Sequence, residues 1–145
     1  MGILTDYFVA ASDTEAAAFL DDGAPRHALP DGHVLESKGI EPFVTLATLE
    51  EILTGRPYAE ISSGVTAVTF SEDTGAVVVQ VRPALLEALT GASESELDGA
   101  ADAWSRTEEL ATDDPAPLAA FLDDLAALAR IAESEGAGVY CWASP

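Results

Sequence analysis

Two of the six cations in this chain stand where a cation could bind an anion. Arg106 comes two residues after Trp104 and three residues before Glu109. Lys38 stands beside a glycine just before an expected helix start, where backbone N–H groups and an ammonium together could hold an anion. We therefore take Lys38, Trp104, Arg106 and Glu109 as the candidate ligand-binding residues. A surface lysine that screens its acidic neighbours is the alternative interpretation of Lys38.

Arg106 has a second interpretation, as one half of an ion pair that fixes a turn of the chain. Ser105 and Glu108 have the spacing of a capping box, and an aspartate and a glycine just upstream weaken any helix that runs into them. The sequence therefore predicts a helix break near residues 99–104, with Ser105 as the next N-cap and Trp104 buried beside it. A cation in the first turn of a helix is disfavoured by about 0.3–1 kcal/mol. Arg106 would then need a carboxylate of the same protein or a bound anion.

The loop at residues 21–33 collects two histidines and three aspartates, which are possible ligands for a divalent metal. Their spacing matches no standard site, and polar residues are normal in a proline-rich loop. We therefore predict no metal and no other cofactor. The P-loop, G-x-G-x-x-G and G-x-S-x-G signatures are absent from the sequence, which weighs against a nucleotide enzyme or a serine hydrolase.

Cys141 is the only cysteine, so no disulfide can form within the chain. It could act as a nucleophile with a histidine as its base. Its neighbours Tyr140 and Trp142 favour a packed strand, in which alternation directs the sulfur to one face and both rings to the other. We expect a buried, structural cysteine.

The elements that must position these residues can be read from hydrophobic periodicity and turn residues. Strands are predicted at residues 3–9, 33–37, 65–70, 76–82 and 139–143. Helices are predicted at residues 12–22, 42–54 and 83–90, after Ser93, and after Asp114, where Leu118, Phe121, Leu122, Leu125, Leu128 and Ala132 form one apolar stripe. The strands at 65–70 and 76–82 form a hairpin. The pattern predicts one acidic α+β domain over residues 1–145, with a largely antiparallel sheet, a central hairpin and a cover of four to five helices.

The charge limits the function more strongly than any motif. Six basic and 26 acidic residues give a net charge of −20, while 48% of the 145 residues are apolar. Such a body repels nucleic acid and anionic membranes, so neither is an expected partner. The acidity has three possible origins: codon bias (there is no Asn, and Lys and Gln occur once each), adaptation to high salt, or an acidic face that docks on a basic partner. No basic leader and no apolar run of membrane-spanning length is present, so we expect a cytoplasmic location.

Several blocks of the sequence resemble a family of small cytosolic proteins, of no assigned activity, from GC-rich actinobacteria. The blocks are MGILTDYF, SKGIEPFVTLATLEEILTGRPYAEI, WSRTEEL and VYCW. The resemblance covers most of the chain, and it is most specific in the blocks that contain SKGIEP and WSRTEE. It implies a shared one-domain fold, and it favours codon bias over salt adaptation as the main origin of the charge. It implies no catalytic role for any residue.

These observations favour a non-enzymatic binding module that docks on a basic protein. The alternative is a small-molecule sensor or enzyme with a pocket around Lys38 and Arg106. The oligomeric state stays open.

Overall fold

The first and last strands of the chain pair with each other in the middle of an antiparallel sheet. The computed structural model describes residues 3–112 and 114–145, apart from the side chain of Asp22. Within this part of the chain the sheet has five strands in the order β2-β1-β5-β4-β3. These strands are β1 Leu4–Ala10, β2 Val34–Lys38, β3 Ala67–Phe70, β4 Val77–Gln80 and β5 Gly138–Ser144. The predicted antiparallel α+β fold is confirmed.

The helices are more numerous than predicted. The described residues form α1 Asp13–Ala17, α2 Phe19–Asp22, α3 Thr45–Thr54, α4 Tyr58–Ser63, α5 Pro83–Gly91, α6 Glu94–Ser105 and α7 Ala116–Glu135, with a 3-10 turn at Pro25–His27. The first predicted helix is divided at Ala18, and α4 was not predicted. No helix in the described ranges is long and apolar enough to cross a bilayer.

The two faces of the sheet are covered unequally. Helices α3, α5, α6 and α7 form the larger layer, over the face that carries Tyr7, Val9 and Cys141. The short helices α1 and α2 cover the other face, which carries Phe8 and Tyr140. Side chains alternate between the two faces of a strand, so β1 and β5 contribute to both cores. The predicted separation of Cys141 from its aromatic neighbours is confirmed.

The predicted hairpin of β3 and β4 is confirmed. It is central in the sequence, but in the sheet it lies at one end, with β3 as the edge strand. Val78 and Val79 point to opposite faces and are both buried, as expected for an apolar strand between two neighbours. The pairing of β3 shifts register between Ala67 and Thr69. This edge of the sheet is therefore short and irregular.

The apolar stripe predicted for the last helix is buried as a whole. Every residue of the stripe lies in the core between α7 and its neighbouring helices and strands. The Asp114 side chain accepts from the N–H of Ala116 at 3.0 Å, and Gly136 ends the helix in the left-handed conformation. The helix therefore begins at Ala116, with Pro115 as its N-cap, two residues after Asp114.

Leu125 lies in the middle of this stripe with none of its surface exposed. We expect Leu125→Ala to lower the free energy of unfolding by about 2–5 kcal/mol, because it removes buried methyl groups and leaves a cavity. Denaturant unfolding measures the effect. Asp123→Ala, on the exposed side of the same helix, is the control, and it should change stability by no more than about 0.5 kcal/mol. Equal stability of the two variants would contradict the packing described for α7.

Candidate functional site

Trp104 is completely buried, as predicted. Its indole N–H donates to the backbone carbonyl of Thr45 at 3.1 Å, and its ring packs against Phe121 with the centroids 6.1 Å apart. The ring therefore ties α6 to the start of α3 and to α7. It presents no surface to a ligand.

The predicted break before Ser105 is wrong, because α6 runs without interruption to Ser105. A complete capping box of Ser93 and Glu96 starts the helix. Buried residues then recur at helical spacing, and their packing offsets the roughly 1 kcal/mol that Gly99 costs inside a helix. These residues are Leu97, Ala100, Ala101 and Trp104. The Ser105 hydroxyl donates to the carbonyl of Asp102 at 2.6 Å instead of capping a new helix.

Arg106 is therefore at the C-terminal end of a helix, where the macrodipole favours a cation. Its Nη2 donates to Oδ2 of Asp102, one turn earlier, at 2.6 Å. Arg106 therefore pairs with a carboxylate of the same protein, as predicted, but the pair lies along the end of α6 and does not fix a turn between two helices. The two side chains are 74% and 50% exposed, so the pair contributes only about 0.3–0.5 kcal/mol. Glu109 lies exposed in the turn that follows.

The anion site predicted beside Lys38 is occupied by a carboxylate of the same chain, that of Glu41. The Glu41 carboxylate accepts from the backbone N–H groups of Phe43, Val44 and Thr45 at 2.6–2.7 Å. These donors lie at and just before the first residue of α3, which begins at Thr45 and not at the predicted proline. Lys38 ends β2 as an exposed residue.

The segment at residues 21–33, which carries the possible metal ligands, contacts the end of α7. His33 Nε2 lies 2.9 Å from Oε2 of Glu135, which joins this loop to the end of α7. No group of three or more His, Cys, Asp or Glu side chains among the described residues is placed to hold a metal ion. Asp22, one of the possible ligands, has its side chain outside the described part.

Cys141 is fully buried, and burial raises the pKa of its thiol well above the ordinary value. The neighbouring Tyr7 is also fully buried, and its hydroxyl donates to the carbonyl of Ile40. A thiol of raised pKa carries little thiolate at neutral pH. The geometry thus gives Cys141 a packing role.

Asp6 and Arg26 form a buried ion pair that the sequence did not indicate. Asp6 stands on β1 with no exposed surface, and it accepts from the backbone N–H and the Nε of Arg26, each at 2.9 Å. Arg26 Nη1 also contacts Oε1 of Glu36 on β2 at 2.9 Å. The one available signal was an aspartate inside an otherwise apolar strand. Moving the 3-10 turn away from the sheet would leave the buried Asp6 carboxylate without its cation, which is costly. The pair therefore holds the turn against the sheet.

A second buried pair joins Glu50 of α3 to Arg82 at the start of α5. Glu50 is 1% exposed, and Arg82 Nε lies 3.0 and 3.1 Å from its two carboxylate oxygens. The backbone of Gly64 lies against the guanidinium so closely that a Cβ there would be 2.1 Å from Nη1. The small, partly open cavity beside this pair measures about 10 Å³, enough for about one water molecule. The pair therefore fastens three helices together and offers no room for a small-molecule substrate.

Two open grooves flank β2, one on each face of the strand. The helix-side groove has apolar walls formed by Leu35, Ile40, Pro117 and Phe121. The charged residues Glu36, Lys38 and Asp124 also line it. The opposite groove is more polar and includes Leu4, Arg26, Glu36 and Lys38. Of the predicted ligand-binding residues, Lys38 lies beside both grooves. Trp104, Arg106 and Glu109 line neither groove, so the four residues do not form one site there.

No family model, no curated protein and no solved structure matches this chain. The resemblance to the actinobacterial family stays a prediction.

Proposed function

We propose that this protein is a non-enzymatic interaction module that docks on a basic protein in the cytoplasm. The distribution of its charges carries the proposal. Every carboxylate whose side chain is described is exposed, with four exceptions: Asp6, Glu41, Glu50 and Asp102. Each of those four caps α3 or pairs with an arginine, and the Asp102 side chain among them is half-exposed. The acidic side chains left on the surface thus greatly outnumber the basic ones.

Within the described part of the chain, three of the six basic residues are paired with carboxylates of the same chain: Arg26, Arg82 and Arg106. The negative field of the surface therefore has few local cations to offset it. Such a field raises the association rate of a basic partner and repels other acidic bodies.

The candidate chemical groups support binding over catalysis. The single thiol is buried and its pKa is raised. In the pairs Asp6–Arg26 and Glu50–Arg82, each charged group is already bound by the other, so neither is free to act on a substrate. A free, buried cysteine also fits a reducing compartment, in keeping with a cytoplasmic location. The small-molecule alternative stays a prediction.

Affinity capture from the native lysate tests the proposal. The immobilised chain should retain a basic protein at about 50 mM salt and release it at about 1 M salt, where the Debye length falls to roughly 3 Å. An immobilised variant with Glu94, Glu96 and Asp98 changed to glutamine or asparagine serves as a reference for general charge effects. Retention of nothing at either salt, or of a partner that high salt does not release, would refute the proposal.

A further inference from the structure

We infer that the partner docks on the free edge of β2, by adding an extended segment of its own to the sheet. This inference rests on the proposed function and assigns it a surface. Strand addition satisfies the backbone groups of an unpaired edge, and pockets beside the edge select the side chains.

The β1–β2 register shows which backbone groups face outward. The N–H of Val9 donates to the carbonyl of His33, and the N–H of Gly39 donates to the carbonyl of Ile3, each at 3.1 Å. In an antiparallel pair, alternate residues direct their N–H and C=O to the partner strand, and the intervening residues direct theirs away. The outward-facing residues of β2 are therefore Val34, Glu36 and Lys38.

The two edges of the sheet differ in their fitness for this role. β3 has four residues and a register shift, and such irregularity blocks the approach of another strand. β2 has five residues in unbroken register with β1 and no proline. β2 is thus the regular edge of the sheet.

The helix-side groove fits the side chains of an added strand. Leu35 and Ile40 supply its apolar wall on the side of the sheet, and Phe121 and Pro117 supply the wall on α7. An added strand would direct every second side chain into this groove. Asp124 at the rim offers a carboxylate to a basic side chain of that segment.

Two hydroxyl groups near the groove lack partners. Thr5 Oγ1 and Ser37 Oγ are buried and make no hydrogen bond within the described residues, and the two residues face each other across β1 and β2. Ser37 also lines the groove. Buried polar groups of this kind are rare in a native structure. Because both oxygens are enclosed by the protein, they bear on the packing between β1 and β2 and not on the free edge.

Charge selects the occupant of the edge. A second copy of this chain would bring another body of net charge −20 against the first, and that repulsion opposes self-pairing. An extended segment with alternating apolar and basic residues satisfies the backbone, the apolar groove and the surface field together. We therefore assign the edge to such a segment of a different protein.

The test uses a synthetic peptide of alternating valine and lysine, about eight residues long and slightly longer than an average strand. Glu36→Pro removes the outward N–H at the middle of the edge. Proline is tolerated at an edge position whose N–H faces solvent, so the fold should survive. We expect Glu36→Pro to weaken peptide binding at least about tenfold, a change of about 1.4 kcal/mol in binding free energy.

Glu36→Ala is the matched control, since it also loses the carboxylate but keeps the N–H. It measures the effect of losing the carboxylate alone, and it should bind the peptide at least about tenfold more tightly than Glu36→Pro. If the melting midpoint shows that Glu36→Pro does not fold, Lys38→Pro and Lys38→Ala replace the two variants. Equal binding by the proline and alanine variants would overturn the inference.

Two further outcomes separate this inference from the proposed function. A salt-sensitive basic partner captured equally by the unchanged chain and by Glu36→Pro would refute the edge and keep the function. Peptide binding at the edge without any captured partner would keep the edge and refute the function. If sedimentation velocity showed dimers of the unchanged chain that Glu36→Pro abolishes, the edge would bind a second copy of this chain, and the assignment to a different protein would be overturned.

Discussion

Replacing Trp104 by alanine is expected to lower the free energy of unfolding by about 3–5 kcal/mol. The indole ring is fully buried where α6 meets α7, and its N–H holds the carbonyl of Thr45 at the start of α3. The substitution would leave a large cavity and remove the donor from a buried carbonyl. Chemical denaturation followed by far-ultraviolet circular dichroism measures the loss.

Arg106→Ala is the control for this prediction. Arg106 lies two residues after Trp104, at the end of the same helix, but its side chain is 74% exposed and pairs only with Asp102. We expect it to change stability by no more than about 0.5 kcal/mol. If Trp104→Ala were as mild as Arg106→Ala, the packing of α6 against α3 described above would be wrong.

Replacing Arg26 by methionine is the second large effect, with an expected loss of about 3–5 kcal/mol. The substitution keeps most of the side-chain volume but leaves the Asp6 carboxylate without a cation at a position with no exposed surface. Breaking one partner of a buried pair is costly for this reason, whereas the intact pair contributes little net stability. Equilibrium unfolding in urea measures the loss.

A double-mutant cycle with Asp6→Asn separates the charge effect from the packing effect. The two changes together should cost clearly less than the sum of the single changes, because no unpaired charge then stays buried. Additive losses, or a loss below about 1 kcal/mol for Arg26→Met, would show that the Asp6 carboxylate is not isolated as described.

The local elements of the fold were predictable where neighbouring residues decide them. The hairpin, the buried stripe of α7 and the helix that starts after Ser93 depend on contacts within a few residues, and all are confirmed. The order of the strands was not predictable, because β5 inserts beside β1 after more than a hundred intervening residues. Short-range patterns do not specify such pairing.

The segment around Ser105 shows how a local pattern can fail. Its capping-box spacing is real, but the buried face that ends in Trp104 carries the preceding helix past Gly99. Packing against α3 and α7 outweighs a cap that would contribute only about 1 kcal/mol. Lys38 and Glu41 show the same limit, since the anion expected from outside is a carboxylate three residues along the chain.

The buried pairs and the edge of β2 needed the three-dimensional structure. Asp6 and Arg26 are distant in the sequence, as are Glu50 and Arg82, and nothing in their local patterns pairs them. Which residues of β2 face outward follows from the register with β1 and from the sheet order. The sequence did supply the net charge, and that charge determines the kind of partner proposed.

Residue-resolved amide hydrogen exchange, recorded by NMR with and without the valine–lysine peptide, tests the docking account most directly. The outward N–H groups of Val34, Glu36 and Lys38 have no strand partner in the described structure, so they should exchange rapidly in the free protein. With the peptide at saturation, their exchange should slow while that of the β3 edge stays unchanged. Unchanged exchange along β2, or protection at β3 instead, would contradict the account.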